Sequence, residues 1–268
     1  MDVKDKKSML PEGALKGKVA IITGGGTGLG KSMAIEFARL GANIVIASRN
    51  QEHLEKAALE IAIHNTKVLY IQTDVRHPEQ IEEMVQKTVN DFGKIDILVN
   101  NAAGNFRVPS LEMSLNAWNT VVSIVLNGTW YCSQAAARQM VTQKHGGAIL
   151  NIGSTHVWSG NPGTAHSTSA KAAVLSLTKT LAVEWAKHRI RVNYLAPGPI
   201  EGTGAAGQLW ATPELEKAVL NRIPSGRMGV PQEVANLASY LVSDFADYVT
   251  GSSFIIDGGG HLNKGTIS

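Results

Sequence analysis

The sequence predicts an α/β fold, in which a parallel sheet of buried strands is covered by helices on both faces. Short apolar runs rich in β-branched residues alternate with amphipathic stretches of helical periodicity along nearly the whole chain. Strands that are apolar at every position are typical of parallel sheets, because both faces of such a sheet are covered. This alternation of strand and helix is the βαβ pattern of a doubly wound, Rossmann-type fold.

Seven apolar runs are the candidate strands of this sheet. Helical patterns lie between them, for example over Ser32–Leu40, Ile81–Phe92 and Leu175–Lys187. The predicted strands are Val19–Ile22, Asn43–Ala47, Val68–Ile71, Ile95–Val99, Ala148–Ile152, Arg191–Leu195 and Ser253–Ile256. No linker or repeat divides the sequence, so we predict a single domain over 1–268 that begins with a flexible arm at 1–14.

Composition and charge disfavour several classes of protein. The formal net charge of the 268 residues is +3, and Lys and Arg are scattered among acidic residues, which argues against a nucleic-acid surface. The single cysteine, Cys132, excludes an internal disulfide and fits a reducing, cytoplasmic location. The sequence shows no secretory signal, membrane-spanning run or peroxisomal address. We therefore expect no nucleic-acid or membrane partner, and no metal site is predicted.

The glycine-rich segment after the first strand predicts a dinucleotide site. Gly24, Gly28 and Gly30 are spaced as G-x-x-x-G-x-G, and a helical pattern follows. Glycines let the backbone turn tightly and approach a pyrophosphate, which then lies on the helix N-terminus. We expect these glycines, with Thr27 and Leu29, to bind the cofactor. A flexible turn without a ligand is the alternative, which the position directly after a strand disfavours.

The end of the second strand predicts which dinucleotide is bound. Ser48 stands where an NAD site normally has an acidic side chain for the ribose hydroxyls, and Arg49 follows it. The forked, charged guanidinium of an arginine suits a 2′-phosphate. NADPH is therefore the predicted cofactor, and the alternative for Arg49 is a solvated surface side chain.

Further motifs follow the other strands in order. They are Asp74-Val75, Asn100-Asn101-Ala102-Ala103-Gly104, Lys171, Pro197-Gly198 and Asp257-Gly258-Gly259. The set resembles the short-chain dehydrogenase/reductase family over almost the whole chain. The resemblance implies a seven-stranded sheet, a nicotinamide cofactor and a homotetramer. It also implies that Asp74 and Val75 border the adenine, that Asn100 braces the cofactor and that Lys171 holds the nicotinamide ribose. The other cofactor residues it implies are Asn101, Ala102, Pro197, Gly198 and Ile200.

The sequence departs from the main pattern of that family at the proton donor. Most members carry a Tyr four residues before the Lys, where this chain has Ser167. Val125 also stands where an Asn is usual, although Ser154 fills the usual serine position. An ordinary ketone reductase is therefore disfavoured.

Four longer stretches are similar to the 2,4-dienoyl-CoA reductases, a branch that lacks this Tyr. They are residues 101–106, 124–129, 181–185 and 196–200. In that branch the Asn that matches Asn105 binds the thioester carbonyl together with another Tyr, whose position holds His156 here. The resemblance implies that Ser167 and Lys171 act with the cofactor and solvent. Asn105, His156, Ser167 and Lys171 are thus the predicted catalytic residues.

The predicted fold brings these four side chains to one edge of the sheet. Asn105 and His156 follow the fourth and fifth strands, and Ser167 and Lys171 are four residues apart on one helix face. The expected reaction is hydride transfer from NADPH to a conjugated dienoyl-CoA in fatty-acid β-oxidation, with donors aimed at the thioester oxygen.

Several assignments stay open at this point. Phe106 and Trp158 are candidate walls of the substrate pocket, and residues of about 200–222 form a candidate lid. His156 either donates to the substrate or only packs, and His166 can point to solvent. The alternative functions are a carbonyl oxidoreductase with His156 as its acid and a dinucleotide-binding protein with little catalytic activity.

Overall fold

Seven parallel strands form one sheet, as predicted, within residues 9–203 and 212–263, which the computed structural model describes. The strand order is β3-β2-β1-β4-β5-β6-β7, so the direction of winding reverses between β1 and β4. The strands are β1 (Val19–Thr23), β2 (Asn43–Ser48), β3 (Val68–Gln72), β4 (Ile97–Asn100), β5 (Gly147–Ile152), β6 (Ile190–Pro197) and β7 (Ser253–Ile256). Ligands of such sheets bind beyond the carboxyl ends of the strands, next to this reversal.

Helices cover both faces of the sheet, which explains why the strands are apolar at every position. Ile22 packs on one face with Phe37 and Val234, whereas its neighbour Ile21 packs on the other face with Met84. The described helices are α1 (Gly28–Arg39), α2 (Gln51–Ala62), α3 (Pro78–Phe92), α4 (Leu115–Val122), α5 (Gly128–Thr142), α6 (His156–Ser159), α7 (Ala165–Trp185), α8 (Pro213–Leu220) and α9 (Pro231–Val242). A π-helical turn, Ser123–Asn127, joins α4 to α5. None of these helices is long and apolar enough to cross a membrane.

The predicted arm and lid lie only partly within the described ranges. Residues 1–8 of the arm and 204–211 of the lid are outside them. In the rest of the arm, Leu10 and Ala14 pack against the hydrophobic core. Burying the apolar side chain of Leu10 offsets the entropy of ordering this part of the chain. The flexible arm over 1–14 stays a prediction.

Candidate active site

The turn from β1 into α1 brings backbone very close to the carboxyl ends of the strands. Gly24 has a φ of +65° and Gly28 a φ of +52°, which favour glycine at both positions. A Cβ on Gly24 would lie 2.8 Å from the Nδ2 atom of Asn101, and a Cβ on Gly30 only 2.3 Å from the carbonyl oxygen of Gly24. Gly24 and Gly28 line the cavity described below, whereas Gly30 does not. Gly30 therefore permits the close approach of α1 to the turn, and its contact with a ligand stays a prediction.

Thr23 and Asn101 hold this turn in position. The Asn101 amide donates to the carbonyl groups of Thr23 at 3.0 Å and Gly24 at 3.2 Å. In return, the Thr23 hydroxyl oxygen accepts the peptide N–H groups of Asn101 and Ala102, each at 3.0 Å. The first turn of α1 carries no acidic side chain. Its N-terminal N–H groups and the glycine cradle fit the pyrophosphate of a dinucleotide.

At the ends of β2 and β3, the site presents a cation, Arg49, whose charge acts on the nearby carboxylate of Asp74. Ser48, Arg49, Asp74 and Val75 line the cavity together here. Asp74 is held by Arg76, with 3.0 Å between Nε and Oδ1 and 2.5 Å between Nη2 and Oδ2, which keeps the pKa of Asp74 below its usual value. The Arg49 guanidinium makes no hydrogen bond or ion pair with any described residue. It is thus available to an anionic ligand.

One cavity of about 1470 Å³ joins the glycine turn to the ends of β4, β5 and β6. Most of the predicted cofactor residues line it: Gly24, Thr27, Gly28, Leu29, Ser48, Arg49, Asp74, Val75, Asn101, Ala102, Lys171, Pro197, Gly198 and Ile200. A pocket for one small ligand has a volume of roughly 300–1,000 Å³. This cavity therefore has room for a dinucleotide and a second molecule beside it.

The four predicted catalytic residues line the same cavity. Lys171 is 6% exposed, and its ammonium donates to the carbonyl oxygen of Ile152 at the end of β5. Burial lowers the pKa of Lys171 to about 8. Ser167 lies one helical turn before Lys171 on α7, and Asn105 follows β4. The structure thus brings together the group that the sequence placed at one edge of the sheet.

Tyr194, which the sequence analysis did not assign to the site, lies behind these residues. Its hydroxyl accepts the Ser154 N–H at 3.1 Å and donates to the Lys171 carbonyl oxygen at 3.2 Å. Burial raises the pKa of Tyr194 to about 12. Both hydrogen bonds are to backbone, so this phenol fixes the end of β5 against α7 and does not replace the absent catalytic Tyr. No sequence motif marks it, because it is an ordinary-looking residue within β6.

His156 is the first residue of α6, and its N–H donates to the Ser154 hydroxyl oxygen at 3.2 Å. Burial, with a smaller contribution from the nearby charge of Arg107, lowers the pKa of His156 below its ordinary value of 6.5. This shift favours the neutral imidazole at pH 7, which carries one N–H donor. Arg107 also lines the cavity and was not predicted. Its position two residues after Asn105 is the sequence signal that could have indicated its place in the site.

The family resemblance implies that Asn100 braces the cofactor, but its side chain does not line the cavity. It is buried beneath the cavity, where its amide donates to the Ser133 hydroxyl at 2.9 Å and to Asn151 Oδ1 at 2.8 Å. These bonds tie β4 to α5 and β5. Asn100 therefore supports the floor of the site, because its side chain points into the protein and its neighbour Asn101 faces the cavity.

Phe106 and Trp158, the predicted walls of the substrate pocket, do not line the cavity. Each ring packs edge-on against a neighbour instead: Phe106 against His166 at 4.7 Å and Trp158 against Tyr194 at 6.2 Å between ring centres. His166 itself is completely buried, which rules out the solvent-facing orientation.

A His–Asp pair on the cavity wall was also missed. His261 Nδ1 lies 2.8 Å from Asp257 Oδ2, and the same carboxylate accepts the N–H groups of Gly259 and His261. Asp257 belongs to a family motif, and the i,i+4 spacing to His261 is the sequence signal that indicates this pair. The pair shapes the turn after β7 on the wall of the site.

Comparisons with known proteins agree with this geometry. A family model described as enoyl-(acyl carrier protein) reductase matches residues 24–261. The crystal structure of a short chain dehydrogenase from Bacillus anthracis str. 'Ames Ancestor' superimposes with a TM-score of 0.86 and 47% identity, covering 94% of this chain and 100% of the other. The chain belongs to the short-chain dehydrogenase/reductase family. As a member, it is an oxidoreductase with a nicotinamide dinucleotide cofactor.

Relatives within the short-chain dehydrogenase/reductase family differ in the reactions that their names state. The chain is 47% identical to a probable 2,4-dienoyl-CoA reductase, (2E)-enoyl-CoA-producing, of Bacillus subtilis (strain 168), over 92% of this chain and 97% of the relative. It is also 39% identical to a 2-dehydro-3-deoxy-D-gluconate 5-dehydrogenase of Dickeya dadantii (strain 3937), over 91% of this chain and 96% of that protein. The residues of the site are therefore needed to choose between substrates.

Proposed function

We propose that this chain is an NADPH-dependent reductase of an unsaturated acyl-CoA, of the 2,4-dienoyl-CoA reductase type, which acts in fatty-acid β-oxidation. The observation that carries the proposal is that Ser167, not a Tyr, lies one turn before Lys171 while Asn105 lines the same cavity. The site thus lacks the phenol that most family members use on ketones, and it keeps an amide donor for a thioester oxygen. The name of the 47%-identical Bacillus subtilis relative supports this choice.

Preference for NADPH is supported by the residues at the end of β2. The Arg49 guanidinium has no partner among the described residues, and its carbonyl group is fixed by the Gln72 amide at 2.9 Å. Ser48 puts no carboxylate at the end of β2, where one would repel a 2′-phosphate, and the nearby carboxylate of Asp74 is paired with Arg76. The phosphate gains a charge-assisted, forked contact that NADH lacks.

The catalytic residues have complementary tasks in this reaction. When bound, the nicotinamide supplies a hydride to the far carbon of the conjugated thioester. Asn105 and the neutral His156 donate hydrogen bonds to the thioester oxygen, where negative charge develops. Lys171 holds the nicotinamide ribose, and Ser167 binds solvent beside it. A proton from solvent then reaches the dienolate, at the α-carbon for a 3-enoyl product or at the γ-carbon for a 2-enoyl product.

Reduction of a carbonyl group is the second candidate function, which the Dickeya dadantii relative favours by name. It requires an acid at the reacting oxygen. His156 is the candidate, but burial lowers its pKa and keeps it neutral at pH 7. The thioester reaction requires only a hydrogen-bond donor from this residue, because a neutral N–H suffices to stabilise the developing charge.

We also propose that the enzyme is a homotetramer, which the family resemblance implies. We propose a cytoplasmic location, which the single cysteine supports. Leu115 of α4 and Val183 of α7 support contacts between subunits, since these apolar side chains are 82% and 83% exposed.

The test of the proposed function is the absorbance of NADPH in the presence of 2,4-hexadienoyl-CoA. Parallel reactions contain a simple ketone, a sugar acid or the saturated hexanoyl-CoA. We expect oxidation of NADPH with the dienoyl-CoA alone. Reduction of the ketone instead contradicts the proposal and favours the second candidate, and no oxidation with any substrate favours a dinucleotide-binding protein.

A further inference from the structure

His166 is a buried polar side chain whose second nitrogen has no partner. It is the second residue of α7 and is 0% exposed. The peptide N–H of Ser167 lies 2.7 Å from its Nδ1 atom. A peptide N–H needs a lone pair, so this contact favours the neutral tautomer with its proton on Nε2. Burial lowers the pKa of His166, and a hydrogen bond with the backbone of Thr164 opposes this shift without reversing it. Nε2 is buried with no hydrogen-bond partner among the described residues.

A second buried atom also has no hydrogen-bond partner among the described residues. It is Oδ1 of Asn105, the amide proposed to bind the substrate. Asn105 directly precedes Phe106, whose ring meets the His166 imidazole edge-on with 4.7 Å between ring centres. One atom is a donor and the other is an acceptor. Buried polar groups are rarely left unpaired in a native protein, so this complementary pair requires an explanation.

We propose that His166 is the positioning residue for Asn105, an inference that rests on the proposed function. When an acyl thioester occupies the cavity, the Nε2–H group of His166 donates to Oδ1 of Asn105, directly or through one buried water. The two ends of an amide differ, because one accepts and the other donates. With Oδ1 engaged by His166, Nδ2 faces the cavity and donates to the thioester oxygen.

The same arrangement gives Phe106 a role in shielding His166, which differs from its predicted role as a wall of the substrate pocket. Its ring covers the imidazole, while Phe106 itself is 41% exposed. Bulk water is thereby kept from Nε2, so Asn105 meets no competing solvent for this donor. Without His166, the Asn105 amide can rotate and turn Oδ1 toward the developing negative charge, which repels it.

A double-mutant cycle tests the inference. His166→Phe keeps a ring and removes both nitrogens, and His166→Gln keeps an N–H donor. With 2,4-hexadienoyl-CoA, we expect His166→Phe to lower kcat about 10-fold with little change in KM, in the range of couplings between contacting residues. His166→Gln should recover most of this loss. In an Asn105→Ala background, His166→Phe should have no further effect on kcat.

The controls separate positioning from a general loss of structure. Thr88→Val removes a buried hydroxyl of α3, which does not line the cavity, and should combine additively with Asn105→Ala. Thermal unfolding and NADPH affinity of every variant report whether the fold and cofactor site persist. If His166→Phe lowers kcat equally with and without Asn105, or if His166→Gln is as impaired as His166→Phe, the inference is overturned while the proposed function stands. An unmutated protein that does not reduce the dienoyl-CoA overturns both.

Discussion

Arg49 is the residue on which the choice of dinucleotide depends. Its guanidinium is unpaired among the described residues and lines the cavity beside Ser48. We expect Arg49→Asp to reverse the preference from NADPH to NADH, because a carboxylate repels a 2′-phosphate and accepts hydrogen bonds from ribose hydroxyls. Fluorescence titration with both dinucleotides measures the ratio of affinities.

The matched control for this substitution is Lys67→Asp. Lys67 is an exposed cation just before β3 and does not line the cavity. The same change of charge at that position should leave the ratio of affinities within about 2-fold of the parent, since exposed charges at a distance are screened by salt. Equal affinities for NADPH and NADH in the parent protein contradict the role of Arg49.

His156 is expected to act as a neutral donor to the thioester oxygen. His156→Phe keeps a ring and removes the donor, and should lower kcat/KM by roughly 10²-fold, as loss of an oxyanion donor does. His156→Tyr restores the donor of the dienoyl-CoA reductases and should retain or raise activity. Because the pKa of His156 is lowered, its contribution to the parent rate should be constant near pH 7 and change only at more acidic pH, where the ring gains a proton, whereas a change near pH 8 is expected from Lys171. An active His156→Phe enzyme with an unchanged pH profile contradicts a catalytic role.

Lys171 is held in the native state at a cost in stability. Its pKa falls from 10.5 to about 8, because burial disfavours the ammonium. Below pH 8 both native and unfolded chains carry the proton, and the full cost applies. Between pH 8 and 10.5 the unfolded chain binds more protons than the native one, so this contribution makes the protein more stable as pH rises.

Replacing this ammonium should therefore stabilise the protein and inactivate it. We expect Lys171→Met to raise the free energy of unfolding by about 1–3 kcal/mol at pH 7, in line with replacements of buried charges by apolar side chains, with a smaller gain at pH 10. Denaturant unfolding at the two pH values measures the gain. Lys179→Met, on the exposed side of the same helix, should change stability little. A Lys171→Met protein less stable than the parent at pH 7 shows that the buried charge is compensated.

At the scale of elements, the turn between β1 and α1 depends on the absence of a side chain at Gly30. A Cβ there would lie 2.3 Å from the Gly24 carbonyl oxygen and 2.6 Å from Asn101 Nδ2. We expect Gly30→Ala to push α1 away from the turn, to cost about 1–3 kcal/mol of stability and to weaken NADPH binding. Ser32→Ala, on the same helix, should alter neither quantity much. Titration with NADPH measures the affinity, and thermal unfolding measures the stability. Unchanged affinity in Gly30→Ala would show that the turn tolerates the shift of α1.

The strands were predictable because burial on both faces leaves a signal that does not depend on distant partners. All seven predicted strands overlap the observed ones, and Ser253–Ile256 coincides with β7. Helix starts were less predictable. The pattern indicated a helix from Leu175, whereas α7 begins at Ala165, because the small and hydroxyl side chains of residues 165–174 lack apolar periodicity. Tertiary contacts at Ala170 and Val174 stabilise this part.

The order of the motifs along the sequence predicted most of the site residues. The other features of the site depend on contacts between distant segments. Lys171, Asn105 and the glycine turn were predictable because each follows a strand, and parallel strands end at one edge. The burial of His166 depends on Phe106, which lies sixty residues earlier in the chain. The pKa of His156 is lowered by burial and, to a smaller extent, by the charge of Arg107. Such effects arise only when the loops after β4 and β5 meet, and no local pattern encodes them.

For the whole molecule, the charges in the cavity and the fold act together on stability. Arg49 and Lys171 are both cations that face one cavity, and the carboxylate of Asp74 there is already paired with Arg76. An anionic ligand therefore interacts favourably with both cations. Binding to the native state alone raises the free energy of unfolding of the entire domain.

We therefore expect NADPH to raise the melting temperature even where turnover is not measured. At a concentration 100-fold above Kd, the gain is about 2.7 kcal/mol, which corresponds to about 5–10 °C for a domain of this size. NADH at the same concentration should produce a smaller shift, and Arg49→Asp should reverse the order of the two. Differential scanning fluorimetry with each dinucleotide, with and without 2,4-hexadienoyl-CoA, provides the measurement. A shift with NADPH but no oxidation of it by any acyl-CoA identifies a binding protein without this activity, whereas no shift with either dinucleotide contradicts the assignment of the cavity itself.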